Sequence, residues 1–107
     1  MHTSVGHGLR QLPGPNGERF AALMAHGSMR TELYAPRGQD PQQPHAQDEL
    51  YFVQSGQGEF VQGDTRHRFQ AGDAFVVPAG QVHRIEHFSD DFGTWVVFWG
   101  PPGGERE

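Results

Sequence analysis

Apolar and polar residues alternate with a period of two along most of the chain, and glycine or proline interrupts the pattern about every ten residues. From Met29 to Ala35, Met29, Thr31 and Leu33 alternate with Arg30, Glu32 and Tyr34, which predicts a strand ended by Pro36. The preceding run, Arg19–His26, is rich in alanine, leucine and methionine. It is nevertheless short and closed by Gly27-Ser28, so it is expected to be the hairpin partner of that strand. Further strands are predicted over Leu50–Ser55, Glu59–Gln62, Thr65–Phe69, Ala74–Pro78, Val82–His87 and Phe92–Trp99. Gly63-Asp64 makes a tight hairpin turn between two of them.

Side-chain parity then assigns faces. Arg66 and Arg68 share a wet face, so His67 and Phe69 are expected to point to the core. Ala74–Pro78 is apolar on both faces, as in a strand between two layers. His83, Ile85 and His87 share one face of their strand. In the last strand Phe92, Thr94, Val96 and Phe98 oppose Trp95, Val97 and Trp99. The lead-in 1–17 shows no period; it is expected to be loose, with disorder over Met1–His7 and a short edge strand at Leu9–Leu12. Pro36–Pro44 reads as a polar loop, residues 18–100 as the folded unit, and 101–107 as a polar tail. The class is all-β, sandwich or barrel.

The chain has 107 residues, which bounds it to one domain with a single core. A formal charge of −5 argues against nucleic-acid binding, which needs a basic patch. No apolar run is long enough to span a membrane, and the first thirty residues lack the apolar segment of a signal peptide, so a cytoplasmic location is expected. The absence of cysteine removes disulfide and thiolate chemistry.

The seven histidines change the picture where they meet acids. His45 precedes Glu49 by four positions, and His83 follows a Pro-Ala-Gly turn. In one straight strand, residues four apart lie roughly 13 Å from each other, whereas ligands must come to about 2.0–2.2 Å of a shared ion. His45 and Glu49 can therefore meet only if the backbone bends through Ala46-Gln47-Asp48. A Glu49 facing the core beside Tyr51 and Val53 needs either a wet mouth or a positive partner. Gln47 is a candidate ligand or substrate hydrogen bonder, and Tyr51 faces the same way as Glu49 and offers a phenol to substrate.

These segments resemble the two motifs of the cupins, small β-barrels that usually hold a metal. Gly72, Pro78, Gly80 and His83 match the second motif (glycine, five residues, proline, one, glycine, two, histidine), and His45, Glu49 and Gly56 match the end of the first. The resemblance implies a double-stranded β-helix (jelly-roll) barrel and one divalent metal, Fe, Mn, Zn or Ni, on His45, Glu49 and His83. Gln43 stands where the family usually has a further histidine, so a weaker fourth ligand there, or an open position, is implied. His87 replaces the asparagine that usually closes the second motif and is expected to support the site or the core. Dioxygenase- or isomerase-type chemistry on a small oxygen-rich substrate is implied, with Tyr51 or Gln47 orienting it. A non-catalytic small-molecule binder is the alternative. In the family a second subunit often covers an apolar outer face, and a homodimer is expected here.

Overall fold

The structure, a computed structural model, describes residues 1–41 and 43–106. Gln42 of the expected polar loop and Glu107 of the tail lie outside the described residues. Among the described residues eight strands follow one short helix: α1 Val5–Arg10, β1 Phe20–His26, β2 Met29–Tyr34, β3 Asp48–Ser55, β4 Gln57–Gln62, β5 Thr65–Gln70, β6 Ala74–Val77, β7 His83–Glu86 and β8 Gly93–Trp99. They form a five-stranded antiparallel sheet, β1-β2-β8-β3-β6, facing a three-stranded one, β5-β4-β7.

Alternation decides what fills the space between the sheets. Tyr34, Tyr51, Val53, Val77, Val96 and Phe98 come from the larger sheet, and Phe60, Phe69 and Ile85 from the smaller. All are nearly sealed from solvent, so this is one hydrophobic core. Phe60 stacks on Phe75 with centroids 4.4 Å apart, and Tyr51 meets Phe60 edge-on at 5.3 Å. Asp40 closes one flank. Its Oδ2 accepts from Ile85 N at 2.8 Å and its Oδ1 accepts from the Tyr34 hydroxyl, so Asp40 lies against the free edge of β7. Burial and the Asp40 carboxylate both push the Tyr34 phenol well above its usual range.

Four expectations are corrected. Val5–Arg10 is helical, with Ser4 as N-cap, and no strand forms at Leu9–Leu12. Gly8 lets this helix lie on the outside of the large sheet, since a Cβ there would fall 2.7 Å from Leu33 Cδ2. His67 does share a face with Phe60, its ladder partner, but β5 is an edge strand and a cleft beside β6 leaves the imidazole exposed. β6 is likewise an edge strand with no layer outside it, so Val76 is 54% exposed rather than sandwiched. His87 falls beyond β7 with φ 51°, and this turn ends the parity that placed it with His83; it sits in solvent with its Nδ1 against Glu59.

The outer face of the large sheet is also apolar. Leu33, Trp95 and Phe52 line up across β2, β8 and β3, and Thr31, Val97 and Leu50 make the next row. α1 packs on β1 and β2, while Phe52 stays 48% exposed. Among the described residues no helix is long and apolar enough to cross a membrane.

Candidate metal centre

β3 begins only at Asp48, so His45 is not part of a straight strand: the chain bends at Ala46 and Gln47 and carries the imidazole back over Glu49. Glu49 points inward, paired across the ladder with Phe98 on β8 and Val77 on β6, and is 1% exposed. His83 opens β7 on the opposing sheet, where its ring lies among Tyr51 and Phe60. The first motif and the second are clamped together by backbone and side chain. Gly80 N donates to His45 O at 2.8 Å, and Ala79 N donates to Asp48 Oδ1 at 2.9 Å. Asp48 Oδ2 accepts from Glu105 N at 2.9 Å, and these two backbone N–H groups hold its carboxyl below the usual range. Gly80, at φ 77°, makes the turn that permits this approach.

The three side chains meet in the interior. His45 Nε2 lies 3.6 Å from Glu49 Oε1, and His83 Nε2 lies 3.3 Å from Glu49 Oε2. Two donors each about 2.1 Å from one ion and about 90–109° apart sit about 3.0–3.4 Å from each other, so both pairs are close to the spacing that a shared cation sets. The imidazoles are wider, with ring centroids 6.3 Å apart, where two on one ion need about 5 Å. Among the described residues no group of three or more His, Asp or Glu side chains is arranged so that it could hold a metal ion. Two imidazoles and a carboxylate are nevertheless the ligand types that divalent metals take. His45 Nε2 and Glu49 Oε1 are buried polar atoms with no hydrogen-bond partner, which a protein interior rarely tolerates.

Electrostatics agree with the orphaned atoms. Burial, together with the nearby Glu32 and Asp40 charges, pushes the Glu49 carboxyl up to about 8, against a weaker opposite pull from the Tyr51 hydrogen bond. Burial, His83 and Arg30 push His45 down. Burial thus pushes both the Glu49 carboxyl and the His45 imidazole toward their neutral forms, which weakens any ion pair between them. His83 has a defined tautomer. The carbonyl Gln81 O can only accept, at 2.9 Å, so Nδ1 carries the proton and in the neutral ring Nε2 presents its lone pair inward. The Tyr51 hydroxyl lies 3.0 Å from that nitrogen and also hydrogen-bonds Glu49, so its single proton serves one acceptor or the other.

Of the other candidates, Gln43 is exposed and lines a cleft together with His45. Gln47 is not at the centre: its Nε2 donates to Ser28 O at 3.2 Å and to Gly100 O at 2.9 Å. The bend that brings His45 inward turns Gln47 away. Residues that sequence reasoning missed are Asp48, which latches the two motifs, and Arg30, whose guanidinium lies 4.4 Å over the Phe98 ring that His45 contacts edge-on at 4.9 Å. Neither carries a local signal, because each acts through a partner far away in the chain.

Comparison with known proteins follows this geometry. The Cupin domain family matches residues 30–99, well over half the chain. An uncharacterized protein of Streptomyces coelicolor is 37% identical over 89 residues, covering 81% of this chain and 84% of that protein. Among solved structures, a Cupin 2 conserved barrel domain protein from Salinispora arenicola superposes with a TM-score of 0.70 at 22% identity, covering 94% of this chain and 87% of that one. KdgF from Halomonas gives a TM-score of 0.67 at 18% identity, with 77% of each chain covered. At these identities the structures speak to the fold alone, but the family match goes further: this chain belongs to the cupin family.

Proposed function

We propose that this cupin holds one divalent metal through His45, Glu49 and His83 and uses it on a small oxygen-rich molecule. The observation that carries the reading is the pair of orphaned buried atoms, His45 Nε2 and Glu49 Oε1, facing each other beside an inward His83 lone pair. A bound divalent ion would supply Lewis acidity, or a site for dioxygen in the case of iron. The chain's own groups do the rest. Glu49, as a carboxylate, would balance the charge of a bound cation. Gln81 O fixes the His83 tautomer. Tyr51 holds a hydroxyl proton between His83 Nε2 and Glu49 and can turn that hydrogen bond to a ligand oxygen. Phe98 and Phe60, each 1% exposed, make the inner side of the centre apolar.

One observation favours a second reading, a non-catalytic barrel that binds a small molecule. Tyr51 occupies the nitrogen by which His83 would grip a metal, and a glutamine stands at position 43. Elemental analysis of untagged protein separates the two, and oxygen uptake by iron-loaded protein then tests for oxygenase chemistry. Two copies are further proposed to pair through the apolar outer rows around Phe52 and Trp95. A cytoplasmic setting and no nucleic-acid or membrane partner complete the proposal.

A further inference from the structure

Beside His45 lies a cleft of about 550 Å³, of the size that takes a small organic ligand. Arg19, Phe20, Arg30, Glu32 and Gln43 contribute to its walls. Its charges are not evenly matched. Glu18, also at the rim, is turned back on its own loop, where Asn16 N donates to Oε1 at 2.7 Å and to Oε2 at 3.3 Å. Glu32 sits 3.4 Å from Arg30 Nε, leaving the two terminal nitrogens of that guanidinium. Arg19 donates its Nε to Ala35 O at 2.8 Å, and among the described residues no carboxylate pairs with it. Burial and the Arg37 charge pull the Arg19 guanidinium below its usual range, as expected of a cation that lacks a counter-ion.

Position matters as much as charge. Arg30 and His45 both pack on the Phe98 ring, at 4.4 and 4.9 Å from its centre, so the guanidinium and the imidazole are within about 9 Å of each other. A small acid can span that gap, with one end on the arginines and the other toward Glu49. Phe20, 48% exposed at the cleft wall, offers an apolar surface to the body of such a ligand.

We propose that this cleft is a binding site for a small carboxylic acid, its carboxylate drawn by the positive charge that Arg19 and Arg30 bring to the walls and its body directed toward His45. The inference deepens the metal reading by naming the substrate class, and it rests on that reading for any chemistry but not for binding. Carboxylate–guanidinium contacts are charge-assisted and can be bidentate, so they discriminate strongly against neutral isosteres.

The test is benzoate against benzamide, titrated into EDTA-dialysed full-length protein and followed by amide NMR shifts. Benzoate is expected to bind at least about tenfold more tightly than benzamide. Arg19→Gln and Arg30→Gln are each expected to weaken benzoate by about tenfold, with Arg68→Gln on the far side without effect. In the wild-type protein the amides of Phe20, Glu32 and His45 should shift and those of Gly63 and Asp64 should not, a readout that needs no variant to fold. Equal affinity for the two probes, no saturable benzoate binding in the millimolar range, or shifts confined to another face would each overturn the proposal. Because the reading is taken without metal, carboxylate preference in a protein that never retains metal would leave the cleft standing and sink the metal centre. A metal-binding protein with no carboxylate preference would do the reverse.

Discussion

Glu49 sets the behaviour of the site at the scale of single residues. Its carboxyl is raised from 4.5 to about 8, so the metal-free folded protein binds a proton that the unfolded chain releases. Stability from this group is present in full below about pH 4.5 and is lost as pH rises toward 8. Metal-free protein is therefore expected to lose a few kcal/mol across that window, at about 1.4 kcal/mol per pH unit between the two pKa values. Glu49→Gln is expected to flatten this slope, and chemical denaturation at several pH values measures it; an equal slope in the variant contradicts the assignment. Tyr51→Phe removes the donor that competes for His83 Nε2 and should tighten metal binding roughly two- to tenfold in a chelator competition. Weaker binding would mean that the phenol helps to hold the ion instead. His45, Glu49 and His83 could be singled out in the sequence because ligand-type residues stood at fixed motif spacings. The Tyr51–His83 and Asp48–Ala79 pairs could not, since each joins positions 32 and 31 residues apart.

At the scale of elements, turns carry the register that lets two sheets share one site. Gly56, at φ 82°, lies so close to the chain before β8 that a Cβ would fall 2.6 Å from Phe92 Cα. Gly56→Ala is expected to cost about 2–4 kcal/mol, since both the left-handed backbone and a backbone clash oppose it. Gly72, with φ 95° and nothing within 4 Å, bears only the conformational penalty. Gly72→Ala should therefore cost about 1–2 kcal/mol. Urea denaturation of the two variants measures the difference, and equal losses would contradict the close packing at Gly56. Strands were legible because a period of two survives even in short segments. Their surroundings were less so. Parity placed His67 on the inward face correctly but could not reveal that β5 is an edge, and it failed for His87 because the strand stops one residue earlier. The α1 segment has too few residues for a helical period to stand out among its glycines.

Over the whole molecule, each sheet supplies one half of the centre: His45 and Glu49 travel with β3, and His83 with β7. The inner core is thereby assigned, while on the outer face of the large sheet α1 lies against Leu33 and Phe52 stays half exposed, where the proposed pairing would cover it. Phe52→Lys places a charge in those rows and is expected to shift a dimer to monomer in sedimentation velocity; a wild-type protein that is monomeric at high concentration contradicts the proposed pairing. Barrel architecture could be read from the motifs, whereas quaternary structure depends on surfaces that no spacing rule describes. The most direct measurement on the central claim is the metal content of untagged protein by mass spectrometry, wild type beside Glu49→Ala. About one divalent ion per chain in the wild type and close to none in the variant is predicted. A metal-free wild type, or unchanged occupancy in the variant, would contradict it.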